Sequence, residues 1–237
     1  MSKNDPLGQA ILAYAKNGRD ANIKVESDLM ENDVIPVPYF FRRLELMPEQ
    51  ERVALDRVQG KVLDVGAGAG AHTRILRARG YDVTAIDTSM GAIRFLNNRF
   101  PGLDHRWIDV NDLSNERYDT ILLLMNGIGI AGTLKQLPSF IDHLMSLLKP
   151  GGKLLFDSTD VSYFYEEEEG GMWIDLNSSY FGEFRFRMTY HEHQTEWFNW
   201  LYLDAGTLEE TVATMNLSLK IVYTEEESYL AEITHKL

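Results

Sequence analysis

The chain has 237 residues, 44% of them hydrophobic and 25% charged, with a formal net charge of -13 at pH 7; that length is enough to bury a full core in one large domain. The acidic balance comes without a clustered Lys/Arg face, which disfavours a broad nucleic-acid surface. There is no cysteine, so disulfides, thiolate metal sites and a thiol nucleophile are excluded.

The longest early apolar run, Ala10–Ala15, is shorter than a signal-peptide core and lacks a basic leader. No later run approaches the roughly 20 apolar residues of a membrane span. A cytoplasmic protein with no membrane partner is expected.

Residues 1–60 read as an N-terminal helical lid in two pieces. The first is Leu7–Lys16, closing at Gly18, and the second is Pro48–Gln59, with proline in the first turn and Gly60 as the stop. Between them Val34–Phe41 reads as extended and aromatic.

From Lys61 short β-branched runs alternate with longer amphipathic ones, the signature of βαβ units around a parallel sheet. Strands are predicted at Lys61–Val65, Asp82–Ile86, His105–Ile108, Thr120–Met125 and Lys153–Phe156. Helices are predicted at Ala71–Arg79, Ser89–Phe100 and Leu137–Leu148. Lys149-Pro-Gly-Gly152 reads as a sharp helix-to-strand turn.

The segment 161–203 reads as an insertion. It holds the acidic run Glu166–Glu169 and the alternating stretch Glu183–Tyr190, predicted to form a hairpin with Thr195–Leu203 across His191–Gln194. Thr207-Leu-Glu-Glu210 resembles a capping box opening a helix that runs to about Met215. Strands at Ser218–Tyr223 and Ser228–Thr234 complete the 204–237 segment.

Val62-Leu-Asp-Val-Gly-Ala-Gly-Ala-Gly70 follows a predicted strand and opens a helix, so bare backbone there admits close approach of a ligand. Gly66-x-Gly68-x-x-Ala71, with Asp87 about twenty residues on, also satisfies the dinucleotide fingerprint of NAD enzymes. Asp64 tilts the choice. Its carboxylate would face the NAD pyrophosphate, where like charges about 4 Å apart cost roughly 4 kcal/mol at surface-like dielectric. The ammonium and sulfonium of S-adenosylmethionine would attract it.

At this point the sequence resembles the class I S-adenosylmethionine-dependent methyltransferases over roughly residues 60–160. Beyond the glycine turn the resemblance rests on Val83-Thr-Ala-Ile-Asp-Thr-Ser89, Trp107-Ile-Asp-Val110, Tyr118–Asn126 and Leu148-Lys-Pro-Gly-Gly-Lys-Leu154. It implies a seven-stranded, mostly parallel, doubly wound α/β sheet of the Rossmann-like type, with residues 61–160 as the cofactor-binding core.

The cofactor implied is S-adenosyl-L-methionine, with S-adenosyl-L-homocysteine as product. The residues implied to hold it are Asp64, Gly66, Ala67, Gly68 and Gly70 at the turn, and Asp87 at the ribose. Thr88, Ser89, Asp109 and Val110 would lie around adenine, and Met125 and Asn126 at the end of the fourth core strand.

Methyl transfer is an in-line displacement, so alignment of acceptor, methyl and sulfur can supply much of the rate. Asn126 and Asp157, after the fourth and fifth core strands, are the catalytic candidates, for orienting the acceptor or taking its proton. Tyr39, Phe40 and Trp197 are expected to wall the acceptor. His191 and His193 read as turn residues, and no metal is assigned. His72 and Arg74 read as a solvated first helical turn.

The sequence thus points to transfer of a methyl group to a small-molecule acceptor rather than a nucleic acid. The alternatives are an NAD-dependent oxidoreductase or a non-catalytic S-adenosylmethionine-binding module.

Overall fold

The computed structural model describes residues 4–18, 21–165 and 180–236; the acidic run Glu166–Glu169 lies outside them. In chain order the elements begin with α1 (Pro6–Asn17), β1 (Asn22–Ser27) and β2 (Asp33–Pro36), followed by a 3-10 turn at Val37–Phe41 and α2 (Glu49–Asp56). The alternating region comprises β3 (Lys61–Val65), α3 (Ala71–Ala78), β4 (Asp82–Asp87), α4 (Met90–Arg99), β5 (Asp104–Trp107), β6 (Tyr118–Leu123), α5 (Leu137–Ser146) and β7 (Leu148–Thr159). After it come β8 (Glu183–Tyr190), β9 (His193–Gln194), β10 (Phe198–Leu201), α6 (Ala205–Ala213), β11 (Leu217–Glu225) and β12 (Ser228–His235).

Seven strands form one sheet in the order β11-β12-β7-β6-β3-β4-β5. β3, β4, β5, β6 and β7 pair in parallel, while β12 runs antiparallel to both of its neighbours. This is the predicted mostly parallel sheet.

Period-two alternation decides which helix covers which face. Val62, Leu122, Leu155 and Leu230 pack with Leu55 of α2 and Leu76 of α3. Their chain neighbours Leu63, Ile121, Leu123, Leu154, Phe156 and Ala231 pack with Leu144 of α5 and Leu208 of α6 on the other face. Each fully buried Leu or Ile contributes about 1.5–3 kcal/mol, and a one-residue register slip would exchange the two sets.

Residues 1–60 hold more than the two expected helices and the extended stretch between them. β1 and β2 pair with each other, and β1 pairs with β8, giving a second, antiparallel sheet in the order β10-β8-β1-β2, with β9 also on β8. The β1 ladder joins Lys24–Ser27 to Phe186–Thr189. That partner lies some 160 positions away, so no local pattern announced it. Val34–Phe41 is extended only to Pro36 before it tightens into the 3-10 turn.

Two other boundaries move. Asp204, not Thr207, caps α6, because its carboxylate accepts from Thr207 N at 2.8 Å. Lys149–Gly152 is a bulge inside β7 rather than a helix end: Leu148 already pairs with Tyr118, and pairing resumes at Lys153 with Thr120.

The second sheet is attached to the first at the strand ends that matter for the site. Ser158 Oγ, near the end of β7, accepts from Leu203 N at 2.9 Å, and the Trp200 ring of β10 lies against Gly129 after β6. α1 is held between the second sheet, through Ile23 and Met188 with Val37 of the 3-10 turn, and α4, through Ile11 and Ala92.

Candidate functional site

The glycine turn leaves β3 at Val65, and Gly66, Gly68 and Gly70 all take positive φ in it. Gly68 has φ +54 and donates its N–H to Asp87 Oδ2 at 2.8 Å. Gly70 has φ +76, and a Cβ there would meet Leu96 Cδ2 at 2.6 Å. A side chain at either position would be strained, and at Gly70 it would also push α4 off the turn.

Asp87, the last residue of β4, is 7% exposed and accepts a second hydrogen bond from Ser89 N at 2.7 Å. Burial pushes its carboxyl up to about 6, against the two backbone donors and with the charges of Asp5 and Asp64 adding to the rise. A carboxylate so placed is poised to accept from hydroxyl groups at the lip of the turn.

Asp64 is 2% exposed and accepts from the Thr73 hydroxyl at 2.5 Å. Burial raises its carboxyl, opposed by His72 and Thr73. Its nearest partner is therefore a residue of α3.

The expected adenine-side residues are brought to one edge in different states. Ser89 Oγ caps α4 by accepting from Ala92 N at 3.0 Å. Thr88 is exposed, and its carbonyl accepts from the Trp107 indole at 2.8 Å. Asp109 is exposed and caps the short 3-10 turn at Val110–Asp112, accepting from Asn111 N at 2.9 Å, whereas Val110 is buried.

The ends of β6 and β7 meet beside this turn. Met125 and Asn126 stand at φ 67 and φ 56, consecutive left-handed residues of a kind that cost about 1–3 kcal/mol each and gather at functional sites. Asn126 N donates to Asp157 Oδ1 at 3.0 Å, and Ser158 Oγ donates to Asn126 Oδ1 at 3.0 Å.

The Asn126 carbonyl accepts from Gly129 N at 3.0 Å. Its side-chain oxygen and its carbonyl are thus both engaged within the protein. Asp157 is 4% exposed; burial pushes its carboxyl up to about 6, opposed by the Asn126 donor and reinforced by the Glu51 charge.

A buried ionic cluster lies next to these residues. Arg42 and Glu51 are ion-paired, and Glu51 Oε2 meets His72 Nε2 at 2.6 Å. The Arg42 guanidinium also donates to Tyr39 O at 2.7 Å, stacks 3.8 Å over the Tyr39 ring and reaches Met125 Sδ at 3.6 Å. Arg42 Nε is buried and has no hydrogen-bond partner among the described residues.

Burial alone would raise Glu51, but His72 and Arg42 outweigh it and hold its carboxyl below the ordinary range. His72 is therefore a buried partner of Glu51, not part of a solvated helical turn. One signal for this cluster was available: Glu51 sits three and four residues before Ala54 and Leu55 on the buried stripe of α2, where an unpaired charge would be too costly.

The three expected acceptor walls separate. Tyr39 stays beside Arg42 and is half-exposed. Phe40 lies at the glycine turn, its Cδ1 3.8 Å from where a Cβ on Gly68 would be. Trp197 is not brought to this cluster: its ring faces Arg187 at 5.0 Å and Arg185 at 5.7 Å. Those arginines alternate with Phe184, Phe186 and Met188 along β8, so Trp197 stands on the sheet face away from α1.

Known proteins share this fold. A methyltransferase-domain family profile matches residues 40–218. The fold superposes on the crystal structure of an S-adenosylmethionine-dependent methyltransferase from Bacteroides fragilis in complex with S-adenosyl-L-homocysteine. The TM-score is 0.92 at 36% identity, covering 100% of this chain and 97% of that one. A methyltransferase structure from Clostridium acetobutylicum is similar in fold, with a TM-score of 0.55 at 16% identity, over 79% of this chain and 88% of that one. A demethylmenaquinone methyltransferase from Tropheryma whipplei is 33% identical over 99 residues; the match spans 40% of this chain and 40% of that protein's length.

Proposed function

The chain belongs to the methyltransferase-domain family and is an S-adenosylmethionine-dependent methyltransferase, and from that membership we propose that it methylates a small-molecule acceptor at the joined ends of β6 and β7. Membership in that family also decides between the two cofactors considered from the glycine turn, in favour of S-adenosylmethionine over NAD.

The residues present fit that cofactor. The orphaned Nε of the buried Arg42 suits a carboxylate such as that of its methionine part. Asp87 suits the two ribose hydroxyls. Gly66 and Gly68 add no side chain at the lip of the turn, so a ligand can come close there, and Phe40 flanks them. Met125 lies between Arg42 and Asn126. Thr88, Ser89, Asp109 and Val110 border the adenine side, while Asp64, engaged by Thr73, contributes negative charge to the cation rather than a first contact.

When bound, S-adenosylmethionine supplies an electrophilic methyl on a sulfonium, ready for in-line displacement. The chain's part is placement. Asn126 fixes Asp157 through its backbone N–H, and Asp157, raised to about 6, takes the acceptor's proton as a nucleophile forms. Tyr39 walls the approach, and β10, tied to Asn126 and followed by Leu203 on Ser158, closes its other side.

The observation that carries this reading is the buried Asp157 carboxylate held by the half-buried Asn126 beside β10, a setting that suits a compact acceptor better than a polymer. Incubating the enzyme with methyl-labelled cofactor and an ultrafiltered cell extract tests it. Label is expected in the low-mass fraction; transfer confined to nucleic acid or protein would refute a small acceptor, and no transfer to any fraction would favour a non-catalytic binding module.

A further inference from the structure

A cleft of about 170 Å3 opens at the ribose side of the glycine turn, and only part of its lining comes from the methyltransferase sheet. One wall is Asp87 and Trp107; the other is Asp5 and Leu7 from the start of α1, with Met188 and Thr195 from the β8–β9 region. The second sheet and α1 therefore reach the cofactor side of the molecule as well as the acceptor side.

The contact that holds this wall is specific. Asp5 staples two helix starts: Oδ1 accepts from Gly8 N of α1 at 2.9 Å, and Oδ2 accepts from Gly91 N of α4 at 2.8 Å. The two glycines touch backbone to backbone, so that a Cβ on Gly91 would meet Gly8 Cα at 2.5 Å. α1 is in turn packed into the second sheet through Leu7, Ala10, Ile23 and Met188, and β1 is laddered to β8. Whatever fills the cleft touches both bodies at once.

We infer that the α1–second-sheet layer is a working part of the nucleoside site, with Asp5, Leu7, Met188 and Thr195 closing over the adenosyl end of the cofactor opposite Asp87 and Trp107. This rests on the cofactor site proposed above and adds to it. The layer carrying β10 against Asn126 is the same one that closes the cleft, so occupation of the adenosyl side firms the wall of the acceptor side. Asp5 is a positioning residue in this scheme, acting through the docking of α1 on α4.

The test uses the full chain and S-adenosyl-L-homocysteine. Calorimetric titration should show at least a tenfold weaker Kd for Asp5→Ala and for Gly91→Ala. Asp119→Ala serves as a control: it removes the carboxylate that accepts from Lys61 N and Lys149 at the far end of the sheet, and it should lower the melting temperature without moving Kd. On the wild-type chain, which needs no substitution, the ligand should slow amide exchange in both residues 5–9 and residues 186–196.

If the wild-type chain binds no S-adenosyl-L-homocysteine, the cofactor site itself fails. If it binds, but Asp5→Ala and Gly91→Ala stay within twofold of its Kd, or exchange is unchanged in both segments, the inference about the second layer is overturned while the cofactor site stands.

Discussion

Asn126 donates its backbone N–H to the Asp157 carboxylate at 3.0 Å, joining the ends of two parallel strands through a residue in the left-handed conformation. The strain at Met125 and Asn126 aims that N–H at a buried carboxylate, and Ser158 locks the Asn126 side chain from the other side. If Asp157 takes the acceptor's proton, Asp157→Asn should lower kcat by about 100-fold or more. It should also abolish an inflection near pH 6 in the rate profile, above which the wild-type rate is expected to rise. A variant profile that keeps this inflection would assign it to another group.

The same carboxyl carries a stability signature. Asp87 and Asp157 each sit at about 6 when folded, above the ordinary 3.8 of an aspartate carboxyl. The folded state therefore holds these protons more tightly than the unfolded chain. That contribution is fully present below about pH 4 and is lost as the pH rises through about 6, worth on the order of 3 kcal/mol per group. Urea midpoints of the wild type and Asp157→Asn, compared from pH 4.5 to 7.5, should diverge in favour of the variant as pH rises. Parallel curves would contradict the assignment.

Glu51 links Arg42 to His72 with all three residues buried. Removing its charge leaves a guanidinium unpaired in the interior, a change that costs about 3–5 kcal/mol. Glu51→Ala is accordingly expected to lose at least 3 kcal/mol in urea unfolding, and a loss below 1 kcal/mol would mean that water already shields Arg42.

Thr73 is the visible partner of the buried Asp64. Thr73→Val keeps the shape and deletes the hydroxyl, so thermal unfolding should register a loss of about 1–3 kcal/mol. Unchanged stability would indicate that Asp64 is satisfied elsewhere.

Legibility in the sequence followed the range of the interactions. Lys61–Val65 and the glycine turn were readable because a buried parallel strand, a turn and a helix start all leave local marks. The order Asp64, Asp87, Asp109 along successive strand ends was readable for the same reason. β1 was not, since Lys24–Ser27 acquires its ladder from Phe186–Thr189. The Asp204 cap was hidden by Thr207-x-x-Glu210, which meets the same rule three residues later. The place of Trp197 was not readable because alternation reveals two faces of a strand without saying which one meets the core, and Arg42 became visible only once α2 and α3 were placed side by side.

The corner where Gly68 N–H meets Asp87 is proposed to hold the ribose of the cofactor. Titrating S-adenosyl-L-homocysteine into the wild type and Asp87→Ala by calorimetry tests it. We predict micromolar or tighter binding to the wild type and a loss of at least 100-fold in the variant, about 3 kcal/mol. Equal affinity in the two proteins would place the cofactor elsewhere and contradict the account.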